Sequence, residues 1–327
     1  MGCTVSTHNT YQPHGGLDSN RLHPPNWDKE ADHLHDAVRG QGSDGVCIVR
    51  ILAKFTNRQR KRLLQAYTER FHEDLTTVME SEFSGTAKEV VTVLLYSPVT
   101  YDVKSLHKAF EDQNFNSIVS IIISSRNDSL MDMKDEYFAE YGKTLENELS
   151  KVEDEDVRRI LVSLLNVDRS SAKKRADKMA AKERATQLFN DGDILSLLCQ
   201  PLGRNQLRET FAAFLDLHRV NIAQFIEDRC SSLSQQARDT LKDCVLVIET
   251  PPRYFAKEMA KADELKILRI MVSRSEIDLY YIKKEFLSLF SRQLHDAIDK
   301  QCSYDYAKLL KAILEMRGQY SESAKKR

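Results

Sequence analysis

Apolar residues recur at helical spacing along the chain. Asp28–Arg39 and Gly45–Phe55 place them three and four apart, which predicts an amphipathic helix in each run. Farther on, one spacing unit returns: aromatic, three residues, aromatic, three residues, aliphatic. It reads Tyr67, Phe71, Leu75, then Tyr137, Tyr141, Leu145, then Phe214, His218, Ile222, and last Phe286, Phe290, Leu294. Steps of four put such side chains on one face of a helix. A single copy is a core stripe; four copies, about 70 residues apart, are a repeat. Leu34-His35-Asp36-Ala37 answers Leu106-His107-Lys108-Ala109, and Ser125-Arg126 answers Ser273-Arg274. The pattern predicts an all-α fold of four helical repeats at 28–96, 101–167, 184–250 and 252–317, with 318–327 as a C-terminal tail. His218, the polar member of the stripe, is expected to be a hydrogen-bonded core or boundary histidine.

Composition supports helices: only 7 prolines and 11 glycines punctuate 327 residues. With 41% hydrophobic and 30% charged residues, the chain falls in the soluble globular class. A net charge of −1 provides no long-range pull toward nucleic acid, which is not an expected partner. Cys3, Cys47, Cys199, Cys230, Cys244 and Cys302 are scattered without C-x-x-C spacing. They are expected to be reduced thiols rather than disulfides or zinc ligands. No apolar run approaches the ~18 residues of a membrane span.

Residues 1–26 form a proline- and glycine-containing arm. It opens Met1-Gly2-Cys3-Thr4-Val5-Ser6, which fits the N-myristoylation pattern at Gly2 once Met1 is removed. Cys3 is then a candidate for palmitoylation. One myristoyl chain binds membranes only marginally, at roughly 10⁴ M⁻¹, and a second makes the anchor stable. Residues 168–183 are a basic linker carrying Lys173, Lys174, Arg175, Lys178 and Lys182. Such a run is either a solvated helix face or a patch for anionic lipid or a partner.

The candidate chemistry lies in Val38-Arg39-Gly40-Gln41-Gly42-Ser43-Asp44, between the first two predicted helices. Two glycines let the backbone turn and free carbonyls from helix hydrogen bonds. The turn is either a plain glycine-capped helix end or a set of carbonyls aimed at a hard cation such as Ca²⁺. Carbonyls leave the ion's charge unbalanced, and Glu82, at another helix end, is the candidate carboxylate. Gly40-Gln41-Gly42-Ser43-Asp44-Gly45 also spells G-x-G-x-x-G. The dinucleotide reading fails because no strand precedes it and the region downstream is basic, with Arg58, Arg60, Lys61 and Arg62. The chain lacks a P-loop, H-E-x-x-H, G-x-S-x-G and an EF-hand loop, so it is not expected to be an enzyme.

Four helical repeats, a G-x-G loop and an acidic residue about 40 positions later together resemble the annexin family. Trp27-Asp28-Lys29-Glu30-Ala31-Asp32 and Met271-Val272-Ser273-Arg274-Ser275-Glu276-Ile277-Asp278-Leu279 look like the start and last repeat of an annexin core. The resemblance implies about five helices per repeat, four repeats in a curved disc, and calcium sites that bridge the protein to acidic phospholipid. By position it implies Ca²⁺ held by the carbonyls of Val38, Gly40 and Gly42 and the carboxylate of Glu82. Glu82 lies seven residues after Leu75. The same step leads to Val152, Arg229 and Gln301 in the other repeats, none of them a carboxylate. The second loop has no glycine, and the third and fourth, near Asp193–Leu198 and Ala260–Leu265, read as shortened. Glu153, Asp154, Glu155 and Asp156 are either solvated helix-start acids or an irregular site. The expectation is a peripheral protein on cytosolic membrane faces, such as the inner face of the plasma membrane, with one intact calcium site. The alternative is a largely calcium-independent scaffold docking a protein partner through the arm or the degenerate repeats.

Overall fold

The structure, a computed structural model, describes residues 25–39, 45–167 and 175–318. Among the described residues there are twenty α-helices and no strand. They follow one another in four groups of five. The first repeat holds α1 (Trp27–Arg39), α2 (Gly45–Lys54), α3 (Asn57–Phe71), α4 (Leu75–Glu82) and α5 (Gly85–Leu95). The second holds α6 (Pro98–Glu111), α7 (Phe115–Ser124), α8 (Asn127–Tyr141), α9 (Leu145–Leu149) and α10 (Glu155–Leu165). The third holds α11 (Lys178–Asp191), α12 (Ile194–Leu198), α13 (Arg204–His218), α14 (Ile222–Arg229) and α15 (Gln235–Glu249). The fourth holds α16 (Pro251–Met259), α17 (Glu264–Arg274), α18 (Leu279–Phe290), α19 (Leu294–Gln301) and α20 (Tyr304–Gly318). Among the described residues no helix is long and apolar enough to cross a membrane.

The aromatic stripe does not lie on one helix, contrary to the sequence reading. Its first two members close α3, α8, α13 and α18; its third opens the next helix. Between them the residue after the second aromatic turns left-handed in every repeat: His72, Gly142, Arg219 and Ser291, with φ of 53°, 65°, 58° and 52°. That turn ends the helix and satisfies a terminal carbonyl. Asp74, Thr144 and Asn221 then cap the new helix through their side chains. The core role survives. Tyr67, Tyr137, Phe214 and Phe286 are fully buried, and so nearly are Leu75, Leu145, Ile222 and Leu294.

The helices divide into two compact units, residues 1–98 with 255–327 and residues 99–254. In the first unit α2 packs on α20, and α5 packs on α17 and α20. Buried Arg60 donates to the Phe55 carbonyl at 2.6 Å and lies 3.5 Å from the Glu276 carboxylate. Burial lowers its pKa, and Glu276 opposes that. Glu276 also accepts the Asn57 backbone N–H at 2.6 Å. A desolvated guanidinium with two such partners ties the first and fourth repeats together. In the second unit α7, α10 and α15 pack together. Arg204 donates to the Ser125 carbonyl at 3.1 Å, joining the third repeat to the second.

Candidate calcium site

The described residues on either side of the predicted first-repeat loop are well packed. Val38, in the last turn of α1, is 1% exposed. Gly45 opens α2 against α5 so closely that a Cβ there would meet the Ala87 Cβ at 3.2 Å and the Phe83 ring at 3.8 Å. Phe83 is buried and directly follows Glu82, the exposed last residue of α4. The residue after the loop therefore leaves space for no more than a small side chain beside Phe83, the neighbour of the candidate carboxylate. Arg39, beside the loop, donates to both Glu73 oxygens at 2.7 and 2.6 Å. That hydrogen bond and charge hold its pKa up and compensate a cation that would otherwise repel a metal ion. Gly40 and Gly42 lie in 40–44, outside the described residues, as do Gly2 and Cys3.

The equivalent places in the other repeats are filled differently. In the second, the N–H groups of Gln113 and Asn114 take the carbonyls of Phe110 and Ala109 at 3.3 and 2.8 Å. The turn thus closes on itself through these backbone bonds, and Val152 is buried. Asp154 caps α10 through the Val157 N–H at 2.9 Å and accepts from Ser234 Oγ at 2.5 Å. Burial would raise its pKa; these hydrogen bonds bring the net shift below the usual value. Asp156 accepts the Ser234 N–H at 3.1 Å. These two acids build helix ends rather than a metal cluster. In the third repeat only Gly192 and Asp193 link α11 to α12, and Asp193 accepts the Ser196 N–H at 2.9 Å. The Arg229 guanidinium lies over the Phe189 ring, 5.6 Å from its centre. It lines a cavity of about 530 Å³ with Arg159, Asp191 and Asp193. A fixed cation at this position opposes a second one.

In the fourth repeat the loop is shorter by one residue than in the first: residues 260–263 link α16 to α17, against 40–44 between α1 and α2. Three carbonyls, of Met259, Ala260 and Ala262, converge on Nε2 of Gln301 at 3.1, 3.2 and 3.1 Å. Among the described residues no three His, Cys, Asp or Glu side chains are grouped to hold a metal.

The annexin family model matches residues 29–94, 101–164 and 255–313, more than half of the chain. This chain belongs to the annexin family. It is 30% identical to annexin A13 of Mus musculus over 88% of this chain and 94% of that protein. It is 31% identical to annexin A6 of Gallus gallus, again over 88% of this chain but only 46% of that longer protein. The structure of annexin III superposes with a TM-score of 0.78 at 24% identity, covering 94% of this chain and 98% of that one. The three matched segments fall in the first, second and fourth repeats; the third keeps the same five-helix order. Annexins are in general calcium-dependent phospholipid-binding proteins.

Two residues of this annexin's loops escaped the sequence reading. Arg39 gives no sign in sequence that Glu73, 34 residues on, takes its charge. Gln301 was visible as a lost carboxylate, but not as a donor to the loop. A neutral amide seven residues after Leu294 was the available signal.

Proposed function

We propose that this annexin is a peripheral protein that binds acidic phospholipid through one calcium ion held in the first repeat. The carbonyls of Val38, Gly40 and Gly42 and the Glu82 carboxylate would hold the ion. The observation that supports this reading is the close approach of Gly45, which follows the loop in sequence, to Phe83, which follows Glu82: a Cβ added at Gly45 would lie 3.8 Å from the Phe83 ring. The donor set fits a hard cation: carbonyls, one exposed carboxylate and a neighbouring arginine already paired. Bound there, calcium supplies positive charge and open coordination positions for lipid phosphate oxygens. Four protein oxygens leave part of a shell of about 6–8 unfilled, so affinity in solution is weak, toward ~10⁻⁴ M, and tightens on lipid. Myristoylation at Gly2 and palmitoylation at Cys3 would add a calcium-independent anchor.

Pelleting with acidic vesicles separates the two contributions. Unacylated protein should pellet in millimolar calcium and stay in the supernatant with chelator. The acylated protein should pellet in both, and Gly2→Ala should abolish the chelator-resistant fraction. Unacylated protein that never pellets would favour a calcium-independent scaffold that docks a protein partner.

A further inference from the structure

The fourth repeat contains an oxygen cage with a nitrogen inside it. Carbonyl oxygens of Met259, Ala260 and Ala262 surround the Gln301 amide nitrogen at 3.1 to 3.2 Å. An amide nitrogen carries two protons, so three acceptors share them. The other atom of the same amide, Oε1, is buried and has no hydrogen-bond partner among the described residues. The orientation of this amide follows from the chemistry around it. Reversed, it would face Oε1 against three carbonyl oxygens with nothing positive between them. The arrangement satisfies three backbone acceptors and leaves one side-chain acceptor unmet.

Convergent carbonyls at a helix end are the ligand type a hard cation takes. Gln301 lies seven residues after Leu294, as Glu82 lies seven after Leu75. A carboxylate and an amide differ by one atom: oxygen, which needs a cation here, or N–H₂, which supplies its own partial positive charge. The geometry points to Gln301 as a built-in substitute for a cation. Its amide holds the fourth-repeat loop in an ion-binding shape without an ion, and a carboxylate at position 301 would convert the cage into a divalent-cation site.

The nearby charged groups agree. Glu258 is engaged by Lys266 at 2.6 Å and Lys261 at 3.1 Å. Asp263 caps α17 through the Lys266 N–H at 2.8 Å. Glu264 accepts both the N–H and the hydroxyl of Ser303 at 3.0 Å. Each of these acids already has a structural partner, so none stands ready to complete a metal shell in the native chain. The inference goes beyond the proposed function by assigning the fourth repeat a calcium-free loop of its own.

The test uses unacylated full-length protein carrying Glu82→Gln, without lipid, so that the first-repeat site is removed. Gln301→Glu in this parent should lower the melting temperature in chelator, and millimolar calcium should restore it. Gln301→Ala should also lower it, with no recovery in calcium. Calorimetry with calcium alone should show one new binding event in the Gln301→Glu protein. A calcium response already present in the parent would count against the first-repeat reading. The Gln301 effect is the difference from that parent. Hydrogen exchange on the native chain provides the second measurement. Amides of 259–263 should be equally protected in calcium and in chelator. Calcium-indifferent Gln301→Glu protein, or a native loop that exchanges fast in chelator and slows in calcium, would overturn the inference.

Discussion

His218 illustrates how a repeat keeps a contact while exchanging the residues that make it. In the first repeat His35 of α1 stacks on Phe71 of α3, ring centres 3.9 Å apart, and its Nδ1 lies 3.0 Å from the Tyr67 hydroxyl. In the second, His107 stacks on Tyr141 at 3.7 Å, with Nδ1 3.2 Å from the Tyr137 hydroxyl. In the third the two partners trade helices: Phe189 comes from α11 and His218 from α13, stacked at 4.0 Å and 2°. The tyrosine there is Phe214, so the hydroxyl is gone. Nε2 of His218 is buried with no hydrogen-bond partner among the described residues. The sequence-based expectation of a hydrogen-bonded histidine therefore fails at this nitrogen, while its place at the core boundary holds. The stripe was legible because its members are four residues apart. Phe189 was not, because nothing in sequence joins it to position 218. Replacing His218 by Phe keeps a stacked ring and removes a buried polar atom, which costs about 1–3 kcal/mol when unpaired. His218→Phe should raise the unfolding free energy by about 1 kcal/mol in urea denaturation. A loss of similar size would mean that the imidazole has a partner worth keeping.

At the level of elements, the left-handed turn after each second stripe aromatic decides where one helix stops and the next begins. Only the second repeat uses glycine there; His72, Arg219 and Ser291 adopt the same conformation with a Cβ. This explains why the break was hard to read. Glycine is the usual signal for a C-terminal cap, and three of four copies lack it. Asp74, Thr144 and Asn221, residue types that favour a helix N-cap, mark the new helix start in the structure. Gly142 provides a clean measure of the backbone cost, since an added Cβ meets nothing within 4 Å. The left-handed region costs an L-residue about 1–2 kcal/mol. Alanine regains ~0.4–1 kcal/mol by restricting the unfolded chain. Gly142→Ala should therefore destabilise by about 1 kcal/mol with little change in the native spectrum. A neutral or stabilising result would show that this cap relaxes to another geometry.

Over the whole molecule, packing and calcium chemistry separate. Four repeats keep the same buried positions, from Tyr67 to Phe286, whether or not their loops can hold an ion. The all-α fold was readable because buried side chains recur at a fixed step. The candidate site was readable from the Gly40-Gln41-Gly42 turn and the carboxylate of Glu82 about 40 residues later. What fills the other three places depends on atoms that sequence spacing does not order: backbone N–H groups in the second repeat, a guanidinium in the third, an amide in the fourth. One weak site near its dissociation constant stabilises a fold by only ~0.4 kcal/mol, so calcium should govern membrane attachment rather than folding. The most direct test is the number of calcium ions bound per chain on acidic vesicles at saturating calcium, measured with unacylated wild-type protein and with Glu82→Gln. One ion for the wild type and none for Glu82→Gln is the predicted result. Two or more ions, or an ion retained by Glu82→Gln, would contradict it.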